Sequence, residues 1–134
     1  MIRGITLYQP MAWAIAAGHK RIENRRWKPW GGVTHLAVHA GQKYDRRYVD
    51  FIEGLGVAVP ERAELVFGAV IAVARLAGYV EVSSDPWFTG PYGWLLADVV
   101  AVEPIACPGA LGLWQLPQAV LERVRGLASK KKPV

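Results

Sequence analysis

Lys20, Glu23 and Arg25 are the residues whose types and spacing could do chemistry in this chain. They lie in the stretch GHKRIENRRWK, 18–28, where Lys20, Arg21, Arg25, Arg26 and Lys28 surround the lone carboxylate of Glu23. A carboxylate among cations can hold their heads in fixed positions for an anionic ligand. Near a desolvated lysine it can instead exchange protons in general acid/base catalysis. A merely solvated charged face is the bland alternative. Trp27 and Trp30 flank the basic run next to a glycine turn. They can stack on a base or bury in the core.

Other candidates carry weaker signals. Gln9 and Pro10 open a short helix, whose free N–H groups favour an anion, and the Gln9 amide can bond a ligand or the fold. His35 and His39 suggest a metal pair, yet four residues of strand separate them by about 13 Å, too far to share one ion. His39 alone can line a cleft, although a structural role is favoured. Cys107 has no general-base partner in the sequence and reads as a small buried hydrophobe. No glycine-rich phosphate loop is present, which sets aside P-loop hydrolysis.

The elements that must position these residues follow from periodicity. Residues 2–8 read as a strand, followed by an apolar helix from Pro10 that ends before Gly18. Residues 21–27 extend, turn at Pro29–Gly32, and return as a strand over 33–40, which suggests a hairpin-type pair. Along 21–27, Arg21, Glu23, Arg25 and Trp27 point to one side. Asp45 caps a helix running to about Leu55. Residues 66–82 form one curved strand with bends at Gly68 or Gly78, residues 92–100 and 101–108 give two further strands, and Pro117 opens a last helix. The order indicates an α+β fold with a small closed or partly closed barrel.

Composition narrows the class. The chain has 134 residues, one cysteine and a net charge of +5. A single domain over 1–129, with a basic, disordered tail at 130–134, is the expected organisation. One cysteine allows no intrachain disulfide, and the amino terminus has no apolar signal core. Both point to a cytoplasmic protein without membrane spans. Charge is divided: residues 1–47 hold nine Lys/Arg against Glu23 and Asp45, whereas residues 48–129 hold four against nine Asp/Glu. Local basicity of this kind suits an anionic partner such as nucleic acid.

The stretch LYQPMAWAIAAGHKRIENRRW resembles the signature of the ASCH family, at Gln9, Pro10, Trp13, Gly18, Lys20, Glu23, Arg25 and Trp27. The similarity continues through VHAG at 38–41, FGAVIAVARL at 67–76, YGWLL at 92–96, which begins at Tyr92, and PGALGLWQLP at 108–117. The resemblance implies a PUA-like fold, a small mixed β-barrel with flanking helices and a cleft for RNA or a modified base. It implies a ligand site drawn from Gln9, Pro10, Trp13, Lys20, Glu23, Arg25, Arg26, Trp27, His39 and Tyr92, with no cofactor. An amidohydrolase branch of the family carries a threonine nucleophile three residues after the motif lysine, where this chain has Glu23, which argues against the same covalent mechanism.

The expectation is therefore binding of RNA or a nucleotide-like small molecule in a basic cleft. The second reading is an enzyme, a ribonuclease or amidohydrolase using Lys20 and Glu23. The third is a protein-interaction domain whose basic strand meets an acidic partner.

Overall fold

The computed structural model describes residues 1–130. The expected basic tail therefore lies, from residue 131 on, outside the described residues. Strand β1 (Ile2–Gln9) leads into helix α1 (Met11–Ala16), then β2 (Ile22–Arg25), β3 (His35–Tyr44) and α2 (Arg46–Gly54). After a 3₁₀ turn at Arg62–Glu64 come β4 (Ala69–Val80), β5 (Tyr92–Ala106), β6 (Leu113–Trp114) and α3 (Gln118–Lys130).

All six strands join one sheet in the order β2-β5-β4-β3-β1-β6. Strands β1 and β3 run parallel, and every other pair is antiparallel. The fold is α+β, but the sheet stays open, with β2 and β6 as its edges. Two-residue β6 pairs only Gly4 and Ile5 of β1. It pairs there because Gly4 leaves room: a Cβ at that position would stand 2.5 Å from the Trp114 indole.

Alternation along β3 divides the core between the two faces. Leu36, Val38 and Ala40 pack with Ala12 and Ile15 of α1, while Ala37 packs with Val120 and Val124 of α3. Helix α1 therefore covers one face and α3 the other. The run around 66–82 is one long strand, with Gly68 at φ 73° before it and Gly78 at φ 136° where the pairing with β5 shifts register. Among the described residues no helix is long and apolar enough to cross a membrane.

Two expectations about strands are corrected. Residues 92–106 form one strand, because Asp98 at φ 50° makes an irregularity that does not end the ladder. A short polar side chain tolerates that left-handed conformation, and here it also binds Arg75 Nε at 2.7 Å. Strand β2 does not pair with β3. Its partner is β5, with Ile22 opposite Leu95 and Arg25 opposite Tyr92.

Candidate functional site

The end of α1 sets the position of Lys20. Gly18, at φ 85°, reverses the chain, and the amides of His19 and Lys20 both donate to the Ala14 carbonyl. Lys20 is thereby turned inward and is 3% exposed. Its ammonium donates to the Ile22 carbonyl at 2.5 Å and lies 3.3 Å from Glu23 Oε1. Arg25 Nε donates to Glu23 Oε2 at 2.8 Å, and Arg25 Nη2 reaches the Thr6 carbonyl at 3.4 Å. Glu23 thus bridges a buried lysine and a partly buried arginine, the compact cluster suggested by the spacing.

The cluster forms the floor of a cleft of about 920 Å³. One wall is the loop around 87–91. Asn24 on β2 pins it, donating from Nδ2 to the Trp87 carbonyl at 2.9 Å and accepting at Oδ1 from Thr89 and Gly90 amides at 2.8 and 3.0 Å. Helix α2 contributes another part of the lining, with Arg47, Tyr48 and Phe51. Asp45 caps that helix by accepting from the Arg47 amide, and the Arg47 side chain beside it holds its carboxyl below the usual carboxylate range. The Phe51 and Trp87 rings meet edge to face at 5.6 Å and join α2 to the loop. Lys20 Nζ lies 5.7 Å from the Trp87 centroid.

Charge and ring character coincide in this cleft. Its lining holds four cationic side chains, Lys20, Arg25, Arg26 and Arg47, against the single carboxylate of Glu23. Tyr8, Trp27, Tyr48, Phe51 and Trp87 supply the aromatic surface. Such a site can neutralise an anion and offer flat faces to a planar ring.

Of the residues singled out in the sequence, Lys20, Glu23, Arg25, Arg26 and Trp27 come together here, with Trp27 at the rim, 45% exposed. Gln9, Pro10, Trp13, His39 and Tyr92 lie outside the cleft lining. Both ends of the Gln9 amide are engaged: Nε2 donates to the Val66 carbonyl at 2.8 Å and Oε1 accepts from the Trp13 amide at 2.9 Å. Gln9 therefore fills the first-turn amide position of α1 that an anion was expected to occupy, and Pro10 is fully buried beside it. Trp13 packs on His19, with ring centres 5.4 Å apart. Tyr92 meets Tyr79 edge to face at 6.0 Å.

His39 is a structural histidine, 2% exposed. Nε2 faces the Cys107 carbonyl at 2.7 Å and so carries a proton, while Nδ1 meets Thr6 Oγ1 at 3.3 Å. Trp114 Nε1 donates to the same hydroxyl at 3.1 Å. Burial pushes the Cys107 thiol above its ordinary pKa and leaves it a poor nucleophile. Among the described residues no cluster of His, Cys, Asp and Glu suits a metal ion.

Sequence reasoning missed Asn24, Trp87 and Arg47 as parts of the site. The only signals were the Trp/Gly/Pro loop at 86–91 and the position of Tyr48 and Phe51 on the periodic face of α2.

No family model matches the sequence, and no curated protein matches it either. Solved structures do. An ASCH protein from Zymomonas mobilis superposes with a TM-score of 0.58 at 18% identity, over 94% of this chain and 94% of that one. A serine-to-alanine variant of that protein gives a TM-score of 0.60 at 17% identity, over 93% and 94% of the two chains. A tyrosine-to-phenylalanine variant gives 0.57 at 18%, over 94% and 97%. The chain has the fold of an ASCH domain.

Proposed function

We propose that this chain is a single-domain ASCH protein, over residues 1–129, that binds RNA or a nucleotide-like ligand in the cleft above Lys20, Glu23 and Arg25. The observation that carries the reading is the buried cluster itself, in which Glu23 fixes Lys20 and Arg25 beneath aromatic walls. A pre-positioned guanidinium and ammonium recognise phosphate or a polarised carbonyl without reorganising. The rings beside them accept the planar part of the ligand. The test is mass spectrometry of ligand retained on the purified protein, followed by titration of mononucleotides and short RNAs into wild type and Arg25→Ala. Affinity falling about 5- to 150-fold in the variant is expected, the loss of one charge-assisted hydrogen bond. Equal affinity in both proteins would refute this site.

One observation favours a second reading, an enzyme acting on RNA or an acylated nucleoside. Lys20 Nζ and Glu23 Oε1 are 3.3 Å apart at the cleft floor, within proton-transfer geometry once a ligand bridges them. Turnover of either substrate class by wild type, reduced about 10²–10⁴-fold in Glu23→Gln with affinity intact, would establish it over simple binding.

A further inference from the structure

An exposed aromatic strip continues from the rim of the cleft along the sheet. Trp27 stands at the rim, 45% exposed, and its carbonyl accepts from Trp94 Nε1 at 2.9 Å, which fixes the start of the 27–30 turn against β5. Trp94 is the register partner of Tyr79 on β4, and Tyr92 is the register partner of Arg25. Tyr79, 39% exposed, meets Tyr92 edge to face and carries the Lys28 ammonium 5.6 Å from its ring centre. Trp30, two residues on, is 52% exposed. Trp27, Trp30 and Tyr79 are exposed rings, and Tyr92, half-buried against the core, supports Tyr79; a solvated surface does not require so many.

Charge identifies the occupant. Arg26 and Lys28 lie in the same segment as the rings, next to the cationic cleft. Lys28 is held above its ordinary pKa, first by its hydrogen bond with Tyr79; Glu81 is the carboxylate that acts on it, and contributes least. Alternating cations and exposed rings match a chain with a phosphate at every step and a flat base between. An apolar peptide would leave the cations without partners.

We propose that Trp27, Lys28, Trp30 and Tyr79, with Tyr92 supporting Tyr79 from the core side, form a stacking platform for single-stranded RNA that runs on from the nucleotide held in the cleft. The inference rests on the nucleotide-binding reading above, and adds that the ligand is a polymer. Each base stacked on a ring raises affinity by about 5- to 150-fold, with little dependence on which base it is.

The experiment titrates uridine monophosphate, and uridine oligonucleotides of increasing length up to six, into wild type, Trp30→Ala, Tyr79→Ala and Tyr79→Phe, with polyglutamate as a purely acidic control. Affinity should rise at least tenfold from monomer to hexamer in wild type and in Tyr79→Phe. Trp30→Ala and Tyr79→Ala should lose most of that gain while keeping the affinity for the monomer. Monomer binding with no gain on lengthening would overturn the platform and leave the cleft reading intact. A gain that survives both alanine variants would do the same, as would polyglutamate competing as well as the hexamer. Failure of every nucleotide to bind would overturn both readings.

Discussion

The ammonium of Lys20 makes its shorter contact with the Ile22 carbonyl, at 2.5 Å, and a longer one with the Glu23 carboxylate, at 3.3 Å. The lysine is therefore held at two points, by the backbone of β2 and by Glu23. Glu23 has a second cation in Arg25, at 2.8 Å. Removing Glu23 consequently strands two cations, whereas removing Lys20 leaves an ion pair behind.

Glu23→Gln is expected to destabilise the fold by about 3 kcal/mol, because a charge 3% exposed loses its counter-charge. Lys20→Met should cost less, about 1–2 kcal/mol, mainly the Ile22 carbonyl left without a donor. The double variant should recover part of the Glu23→Gln loss. Urea unfolding of the four proteins measures this. Strict additivity would mean that the two side chains do not act as a pair.

Asn24→Ala should loosen the 87–90 wall. It removes three hydrogen bonds at once, at Trp87, Thr89 and Gly90, and is expected to cost about 2–4 kcal/mol. Indole fluorescence should report a more exposed Trp87, and affinity for a mononucleotide should fall as the wall loosens. Unchanged affinity would show that the wall takes no part in binding.

Salt dependence counts the cations that meet phosphate. With Arg25, Arg26 and Arg47 available around Lys20, the slope of log affinity against log salt should be about −2 to −3 for single-stranded RNA. Arg26→Ala should make it shallower by about 0.7. A slope near zero would mean that the cleft recognises an uncharged molecule.

The pH response of α2 follows from Asp45. Its carboxyl is held below the ordinary value by the side-chain and backbone hydrogen bonds of Arg47. A depressed carboxyl contributes stability that is complete above the unfolded pKa of about 3.9 and is lost as pH falls through the folded value. Asp45→Asn still caps the helix but does not titrate. Asp45→Asn should therefore be less stable than wild type at neutral pH and begin its acid unfolding, followed by circular dichroism, at higher pH, the difference closing as pH falls through the folded value. Coincident curves would show that the cap is not proton-linked.

The elements written in local pattern were legible in the sequence. Asp45 announces α2, Gly68 and Gly78 mark the bends around β4, and the spacing of Lys20, Glu23 and Arg25 gave the cluster. What was not legible is long-range pairing. Periodicity says that 22–25 is extended, but not that its partner is β5 rather than β3. For the same reason the cleft wall escaped notice: Asn24 reaches Trp87, Thr89 and Gly90 across more than sixty residues, and no local pattern encodes those bonds. Gln9 misled because an amide that caps its own helix looks, in sequence, like one free for a ligand.

The pairing of β2 with β5 also bears on synthesis. Ile22 finds its ladder partner only at Leu95, so the basic segment leaves the ribosome well before the strand that will hold it. At roughly 5–20 residues per second the delay is about 4–15 s. Throughout that interval Arg25, Arg26 and Lys28 belong to an unpaired, cationic nascent chain. Only the arrival of β5 gives β2 its ladder partner, so a chain truncated before Tyr92 carries the motif on a strand with nothing to pair with.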